Sequence, residues 1–347
     1  MAGCEKPLIA VTDKDSEEDH PELNTPNPGS STPPIPGSPT PPTPPNPGSK
    51  NTTWYVSAGG NDSSSGTEPA APLGSVQAAL TRIKSIYRNG KWPAGESAVI
   101  VISGTITGSG VFGSNKALVD ISGKGNYPPI ILTGDPLLKG VLDANRTPTN
   151  DGRVLYIANN KVTLSSNLTL TGGYTLWGGG VLVGTPGSES GGEFVIAGGE
   201  ISGNTSQNGG GVMVYKGTMT MTAGVIKNNT IAEYNTVLGA GGGVFLSEGT
   251  SFTMSDGTIS ENGGPKADTG GGVFINGKAK FTMAGGEILK NSSISGGGVY
   301  VAGYGKFFMD GGTIRGNTST AASGGVYVSV YSTEFVQTGG TISGNTP

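Results

Sequence analysis

The sequence predicts an all-β fold, a single-stranded right-handed parallel β-helix (a solenoid) of roughly nine coils with a short N-terminal capping helix. The motif G-x-I-x-x-N occurs six times between residues 199 and 345, and each copy lies a short strand away from a G-G-V or G-G-G-V sequence. The asparagines are 25 to 33 residues apart, which indicates one coil per period with loops of variable length. The 347 residues include 63 glycines and only 13% charged residues, which is typical of a turn-rich β protein.

Residues 1–51 are predicted to form a disordered, acidic and Pro-rich tether. Residues 1–24 contain seven acidic residues and two lysines, and residues 25–50 contain eleven of the 23 prolines. Neither composition supplies the apolar side chains of a core. An extended polyproline conformation rises ~3.1 Å per residue, so residues 21–50 could span up to roughly 90 Å. The plainer alternative is an inert spacer.

Cys4 is the only cysteine, so disulfides within the chain and cysteine zinc clusters are excluded. The sequence Ala2-Gly3-Cys4 resembles the end of a bacterial lipoprotein signal, where cleavage before the cysteine frees it for acylation. The apolar stretch of such a signal is missing, so we expect the chain to begin near the cleavage point. The resemblance implies a lipidated Cys4, a cell-envelope, outer-membrane or cell-surface lipoprotein, and membrane attachment only through this anchor. The alternative is an ordinary free thiol.

Residues 52–97 are predicted to contain the first strand, around Trp54–Val56, and a capping helix. Ser75 is a suitable N-cap and Asn89-Gly90 a suitable stop. The apolar positions of the helix follow a 4, 3, 4 spacing and comprise Val76, Leu80, Ile83 and Tyr87. Because the first coil of a solenoid exposes its interior at the open end, we expect this helix to cover that end.

The opening of the predicted β-helix contains Tyr55-Val56-Ser57, a Gly/Asn/Asp/Ser turn at residues 59–67, Pro72-Leu73 and the helix sequence Val-Gln-Ala-Ala-Leu. This stretch of about 40 residues resembles the start of many bacterial right-handed parallel β-helix proteins of the pectate-lyase-like superfamily. The resemblance implies the same fold. It also implies an alternative function, that of a polysaccharide-degrading lyase or glycosidase.

Residues 98–177 are predicted to form irregular coils, and residues 178–347 regular coils of three strands each. Since side chains alternate across a strand, the first and third residues of Val-x-Val and Phe-x-Met share the inner face. One predicted internal stack contains Phe194, Met219, Phe252, Phe281, Phe307 and Phe335. A second contains Ile196, Met221, Met254, Met283 and Met309, ending at Gln337. The third contains Ile201, Ile226, Ile259, Ile288, Ile314 and Ile342. No cap is predicted after the last coil, so we expect further chain or another molecule to cover its edge.

The repeated asparagines are predicted to stack in register as a ladder at a strand-to-turn junction. They are Asn204, Asn229, Asn262, Asn291, Asn317 and Asn345. A short amide can satisfy the backbone groups of a turn and tolerate a left-handed φ. The alternative, cation binding by the amide oxygens, lacks nearby carboxylates in sufficient number. The glycines two residues before each isoleucine are expected to adopt positive φ or to allow close packing of coils.

The Gly-Gly-Gly-Val and Ile-x-x-Asn pairs of residues 178–346 are similar to the Gly-Gly-Ala-Ile and Phe-x-x-Asn motifs in the passenger repeats of chlamydial polymorphic outer-membrane proteins and related bacterial adhesin-like proteins. Isoleucine stands where that family has phenylalanine. The resemblance implies a surface-displayed β-helix and adhesion, and it brings no catalytic residues.

The residues available for chemistry favour a non-catalytic protein without metal or cofactor. The single histidine, His20, lies in the tether, so a histidine triad or histidine-bound metal in the β-helix is excluded. Pectate-lyase-like enzymes use a lysine or arginine base with clustered acids, and no D-D or D-x-D pair occurs in residues 178–347. If the chain is an enzyme, the base is one of Lys216, Lys227, Lys280, Lys290 and Arg315. The net charge of +1 beyond residue 24 gives no indication of nucleic-acid binding.

The residue between the inward positions of each Val-x-Val strand is predicted to point outward, giving an apolar row that we call the stripe. It contains Leu182, Met213, Phe245, Phe274, Tyr300 and Tyr327. Because such rows are unusual on an isolated soluble protein, Phe245, Phe274, Tyr300 and Tyr327 are predicted to bind a glycan or a surface protein. The alternatives are that a loop, 184–191 or 230–240, covers the stripe, or that it merely stacks on itself. The sequence thus favours an adhesin-like or carbohydrate/protein-binding envelope lipoprotein without catalytic activity.

Overall fold

The computed structural model describes residues 52–108, 115–232, 239–264, 267–329 and 333–347, with only the backbone of Asp268 described. The predictions for the tether, including Cys4 and His20, lie outside these residues. The described residues confirm the predicted all-β, right-handed parallel β-helix with one short helix. Its eight-stranded sheet has one strand in each turn, so the β-helix has about eight turns, close to the roughly nine predicted.

One side of each turn, which we call the valine face, is built from the strands that follow the Gly-rich sequences. Its eight strands are Ala117–Ser122, Arg153–Ala158, Val181–Val183, Val212–Val214, Val244–Leu246, Val273–Ile275, Val299–Val301 and Val326–Val328. Each strand pairs in parallel with the equivalent strand of the next turn. Outward residues therefore lie above outward residues throughout this face.

A second side, the Phe–Met face, carries the phenylalanine and methionine stacks. Its strands are Thr53–Ser57, the first part of Ala98–Thr107, Ile130–Gly134, Lys161–Leu164, the first parts of Gly192–Ser202 and Gly217–Lys227, Ser251–Met254, Lys280–Met283, Lys306–Met309 and Glu334–Gln337. Parallel pairing again joins each strand to its equivalent in the next turn.

The third side, the isoleucine face, follows the Phe–Met face around a corner. It contains the second parts of Ala98–Thr107, Gly192–Ser202 and Gly217–Lys227, together with Gly140–Asp143, Leu168–Thr171, Thr258–Ser260, Glu287–Leu289, Thr313–Arg315 and Thr341–Ser343. Short strands not predicted from the sequence add a partial fourth side: Tyr174–Trp177, Thr205–Asn208, Thr230–Ile231, Gly239–Ala240, Ala267–Thr269, Ser292–Ser293 and Thr318–Ser319.

The predicted capping helix is present and spans Val76–Arg88. The Ser75 hydroxyl accepts a hydrogen bond from the main-chain N–H of Ala78, and Asn89 follows the last turn of the helix as its C-cap. The apolar side of the helix belongs to the same core as the first coil, where Trp54 stacks on Trp92 with ring centroids 5.5 Å apart. The end of the solenoid is therefore covered as expected.

The three predicted internal stacks are confirmed, with equivalent residues paired turn by turn. The rings of Phe252 and Phe281 lie 4.6 Å apart and those of Phe281 and Phe307 lie 4.9 Å apart, each pair within 7° of parallel. All stack members before the last turn are buried, whereas Phe335 and Ile342 in that turn are partly exposed. Each turn thus contributes its apolar side chains to one continuous core.

The region predicted to be irregular, residues 98–177, continues the same ranks with aliphatic side chains. Ala98, Ile130 and Val162 lie successively beneath Phe194. Leu142 and Leu170 likewise continue the isoleucine stack beneath Ile201. These coils therefore lack the repeated sequence motifs and differ in loop length, but their strands pair in the same way as those of the regular coils.

The six repeated asparagines form a hydrogen-bonded ladder in which each side chain joins its neighbours in the adjacent turns. The Asn262 Nδ2 donates to Asn291 Oδ1 at 3.0 Å and to the main-chain oxygen of Ile226 at 2.9 Å. The Asn262 Oδ1 accepts from the N–H of Asn229 at 3.1 Å and from Asn229 Nδ2 at 3.0 Å. The other ladder positions repeat this pattern. An interior amide therefore has two acceptors for its two N–H groups and two donors for its oxygen.

A left-handed conformation occurs one residue before each ladder asparagine and not at the asparagine itself. The left-handed residues are Gly203, Asn228, Glu261, Lys290, Gly316 and Gly344, with φ between 52° and 65°. The chain turns the corner at this left-handed residue, and the following asparagine keeps an ordinary conformation with its amide in the ladder.

The expectation of positive φ at the glycines before each isoleucine is confirmed. Gly257 shows that these glycines also allow close packing of coils. A Cβ there would lie 2.6 Å from Met221 Cε and 3.0 Å from the carbonyl oxygen of Gly224. The methionine of one turn thus packs on the bare backbone of the next turn.

We predict that Asn262→Ala destabilises the protein by about 3–5 kcal/mol. Truncation leaves the N–H and Nδ2 of Asn229 and the oxygen of Ile226 without partners in the interior, and each such group costs about 1–3 kcal/mol. Asn345→Ala is the matched control, because that position is partly exposed and water can replace the lost bonds; we expect about 1 kcal/mol. Urea unfolding measures both, and equal losses at the two positions would contradict the ladder's role.

We predict that Gly316→Ala destabilises the protein by about 1–2 kcal/mol through backbone strain alone. Its φ is 61°, and an added Cβ would meet nothing closer than Lys290 Cγ at 3.9 Å. The reverse change in the preceding turn, Lys290→Gly, should leave the unfolding free energy within about 1 kcal/mol of the parent or raise it. Similar destabilisation by both changes in urea unfolding would argue against left-handed strain at this position.

Candidate functional site

The stripe lies in register along the valine face. Leu182, Met213, Phe245, Phe274, Tyr300 and Tyr327 are direct partners in successive turns. The same row continues toward the N-terminus through Tyr156 and Asp120, which the sequence analysis did not include. The structure therefore brings the four predicted binding residues together as a single row.

Exposure divides the stripe into two halves. Leu182 and Met213 are buried, and Phe245 is only 9% exposed, whereas Phe274, Tyr300 and Tyr327 are half-buried. The buried half forms a small apolar cluster outside the main core, together with Tyr156, Ala158 and Ala240. Of the four predicted binding residues, Phe245 therefore offers little surface to a partner.

The loop 184–191, one of the two predicted covers, is fastened to the buried half of the stripe. The hydroxyl of Tyr156 and Thr185 Oγ1 share a hydrogen bond of 2.5 Å. The hydroxyl of Tyr215 accepts from the N–H of Gly187 at 3.3 Å, and Lys216 Nζ lies 2.6 Å from the carboxylate of Glu189. The second predicted cover contributes Ala240, while residues 233–238 lie outside the described residues. These bonds hold loop 184–191 beside the buried half of the stripe.

The aromatic rings of the stripe stack on one another. Ring centroids are 4.9 Å apart for Phe245 and Phe274, 5.5 Å for Phe274 and Tyr300, and 4.9 Å for Tyr300 and Tyr327, with interplanar angles of 30° to 42°. Rings lying side by side in one plane would need centroids about 7 Å apart, so these rings face each other. The faces of Phe274 and Tyr300 are therefore covered by their neighbours, and the row presents ring edges, which carry partial positive charge.

Four flanking residues of the covered half were missed by sequence reasoning: Tyr156, Trp177, Tyr215 and Arg153. Trp177 and Tyr215 pack against the cluster with their ring centroids 6.4 Å apart. The guanidinium of Arg153 lies 6.0 Å from the Tyr156 ring and donates to the main-chain oxygens of Asn115 and Trp177. Burial lowers the pKa of Arg153 to about 10, and the nearby acidic groups partly oppose this shift. Of these four residues, only Tyr215 could have been associated with the stripe from the sequence, because it directly follows the strand Val212–Val214.

Three of the five possible catalytic bases are engaged in ion pairs between successive turns. Lys216 pairs with Glu189, Lys227 with Glu200 at 3.0 Å, and Arg315 with Glu287 at 3.5 Å. Lys280 lies 4.9 Å from the centre of the Phe308 ring, and Lys290 occupies a left-handed turn. These basic side chains therefore take part in local surface contacts. None of these contacts has the arrangement expected of a catalytic site, a base beside a cluster of acidic residues.

Glu200 and Glu287, which each precede an isoleucine of the repeat, are too far apart to form a catalytic pair. Glu200 and Glu287 share a rank, but Val225 and Thr258 lie between them, which puts them three turns or about 14 Å apart. Glycosidase carboxylates are about 5 to 9.5 Å apart. Asp256 Oδ1 accepts from the N–H of Gly257, and Asp310 Oδ1 accepts from the Thr338 hydroxyl. Within the described residues, no three metal-binding side chains gather at one place.

No protein-family model, curated protein or solved structure matches this chain significantly. The resemblances to the pectate-lyase-like superfamily and to adhesin repeats therefore stay predictions beyond the shared β-helix architecture. In the described part of the chain, no helix has the length and apolar character needed to cross a membrane.

Proposed function

We propose that this chain is a non-catalytic β-helix lipoprotein of the bacterial envelope that binds a surface protein through the exposed half of its stripe. The observation that supports the proposal is the difference in side-chain burial along the stripe. Leu182 and Met213 are buried in a cluster with Tyr156 and Ala240, whereas Phe274, Tyr300 and Tyr327 are only half-buried in later turns. Exposed apolar rows of this kind favour a partner.

Ring geometry favours a protein partner over a stacked sugar. A pyranose binds an aromatic residue across the face of the ring, and the faces of Phe274 and Tyr300 are covered by neighbouring rings. Ring edges pack well against aliphatic side chains and against the faces of other aromatic residues. Tyrosine is also enriched at protein interfaces, where its apolar ring and polar hydroxyl suit a partly wet surface.

Attachment to the envelope rests on the resemblance of Ala2-Gly3-Cys4 to a lipoprotein signal. An acyl group on Cys4 would hold the β-helix at a membrane through the acidic and Pro-rich segment. The pairing of Lys216, Lys227 and Arg315 with glutamates of neighbouring turns supports a non-catalytic role, because it engages these side chains in ion pairs along the surface.

We expect Phe274→Ser/Tyr300→Ser to reduce attachment of the purified protein to bacterial or animal cells at least tenfold, while its unfolding free energy changes by no more than about 1–2 kcal/mol. Phe308→Ser is the matched control, because Phe308 is a half-buried outward aromatic residue on the Phe–Met face. Flow cytometry with labelled protein measures attachment. Protease treatment of the cells should abolish it, and periodate oxidation of their glycans should not.

Three outcomes would count against the proposal. Equal attachment by the parent and Phe274→Ser/Tyr300→Ser would remove the stripe as the binding surface. Sensitivity to periodate but not to protease would replace the protein partner with a glycan. Release of unsaturated products from uronate polymers, abolished by changing one of Lys216, Lys227, Lys280, Lys290 or Arg315, would make the chain a lyase.

A further inference from the structure

One corner of the solenoid carries two leucines that are almost fully in solvent. Leu137 is 91% exposed and Leu138 is 71% exposed, and the described residues contain just one other strongly exposed large apolar side chain, Tyr304 at 54%. The leucines lie in residues 135–139, between strands Ile130–Gly134 and Gly140–Asp143. This corner joins the Phe–Met face to the isoleucine face.

The corner is longer than its counterparts. Five residues connect the two strands here, whereas three residues make the same connection in the next turn, at 165–167, and three do so in the turns at 255–257, 284–286, 310–312 and 338–340. Those shorter corners contain only glycine, alanine, serine, threonine, asparagine and aspartate. The added length pushes the leucine pair outward, and the fold does not need them there.

The protruding tip is ordered by its own hydrogen bonds. Asp135 Oδ1 accepts from the N–H of Leu137 at 2.8 Å and of Leu138 at 3.0 Å. The N–H of Lys139 donates to the carbonyl oxygen of Asp135 at 2.9 Å, and that of Gly104 to Lys139 at 2.7 Å. The hydrogen bonds from the N–H groups of Leu138 and Leu137 hold the pKa of the Asp135 carboxyl below its usual value. Little conformational entropy remains to be lost when the leucines meet a partner.

We propose that Leu137 and Leu138 form a membrane-contact tip that inserts into the surface of a lipid bilayer. This inference concerns a site other than the stripe, and it does not require acylation of Cys4. Two leucine side chains offer on the order of 200 Å² of apolar surface. A stable protein interface needs about 800 Å² per partner, so this tip is too small for one. A bilayer requires no complementary pocket, and a convex apolar tip fits it.

The tip is suited to weak, reversible contact. A single myristoyl chain gives an association constant of only roughly 10⁴ M⁻¹, and two leucines carry fewer carbon atoms than that chain. Stable attachment requires two such signals. The tip would therefore hold one side of the β-helix against a membrane to which another attachment had already brought it.

The test uses the full, unacylated chain and vesicles of phosphatidylethanolamine and phosphatidylglycerol. Sedimentation with excess vesicles should detect weak binding of the parent, and Leu137→Ser/Leu138→Ser should reduce the partition coefficient at least tenfold. Tyr304→Ser is the matched control and should bind as the parent does. Since both leucines are exposed, thermal unfolding of the double variant should be unchanged.

A second measurement places the contact at the tip. In a Cys4→Ser background, an environment-sensitive fluorophore on Leu138→Cys should shift to the blue when vesicles are added, while the same label on Tyr304→Cys should not. Equal vesicle binding by the parent and the double serine variant would overturn the proposal. So would an unshifted label at position 138, or a shift produced by a protein partner and not by vesicles.

Discussion

Parallel, in-register pairing of each turn with the next is the constraint on which the rest of this structure depends. Equivalent residues of successive turns therefore lie directly above one another. A side chain that recurs at one position forms a row along the β-helix. Inside, the rows are the phenylalanine, methionine and isoleucine stacks. At one corner, the row is a ladder of asparagines whose interior amides bond to each other and to main-chain groups of the preceding turns. A buried polar group is costly unless it is paired, and the register supplies every pair.

The same register shapes the outer surface. Lys161 meets Glu193 and Lys306 meets Glu334 because they occupy matching positions in adjacent turns. The rings of Phe274, Tyr300 and Tyr327 are one turn apart, which is close enough for them to cover each other's faces. The two ends of the stripe nevertheless differ, since Leu182 is buried and Tyr300 is half-buried. The repeated strands form the regular part of the β-helix, and the loops that connect them differ from turn to turn.

The repeated features could be predicted from the sequence because each position recurs often enough to reveal its role. Ile226 and Asn229 were placed correctly for this reason, and the helix after Ser75 was recognised by its cap and spacing. Features set by a single loop could not be predicted. Residues 184–191 are held by Tyr156 and Tyr215, and nothing in the letters of that segment indicates these contacts. The left-handed turn at Lys290 was missed because a lysine gives no sign of positive φ. Residues 98–177 were predicted to form irregular coils, but the place of Val162 beneath Phe194 is visible only in the pairing.

Disulfide formation between introduced cysteines tests the in-register pairing most directly. In a Cys4→Ser background, Thr253→Cys/Thr282→Cys joins direct partners in adjacent turns, whose Cα atoms should be about 4.8 Å apart, within the range a disulfide accepts. Thr253→Cys/Phe308→Cys places the two cysteines on the same rank but two turns apart, about 9.6 Å, beyond that range. Rapid oxidation of the first pair and none of the second is the predicted result. Equal oxidation of both pairs, or of neither, would contradict the stacking of equivalent residues.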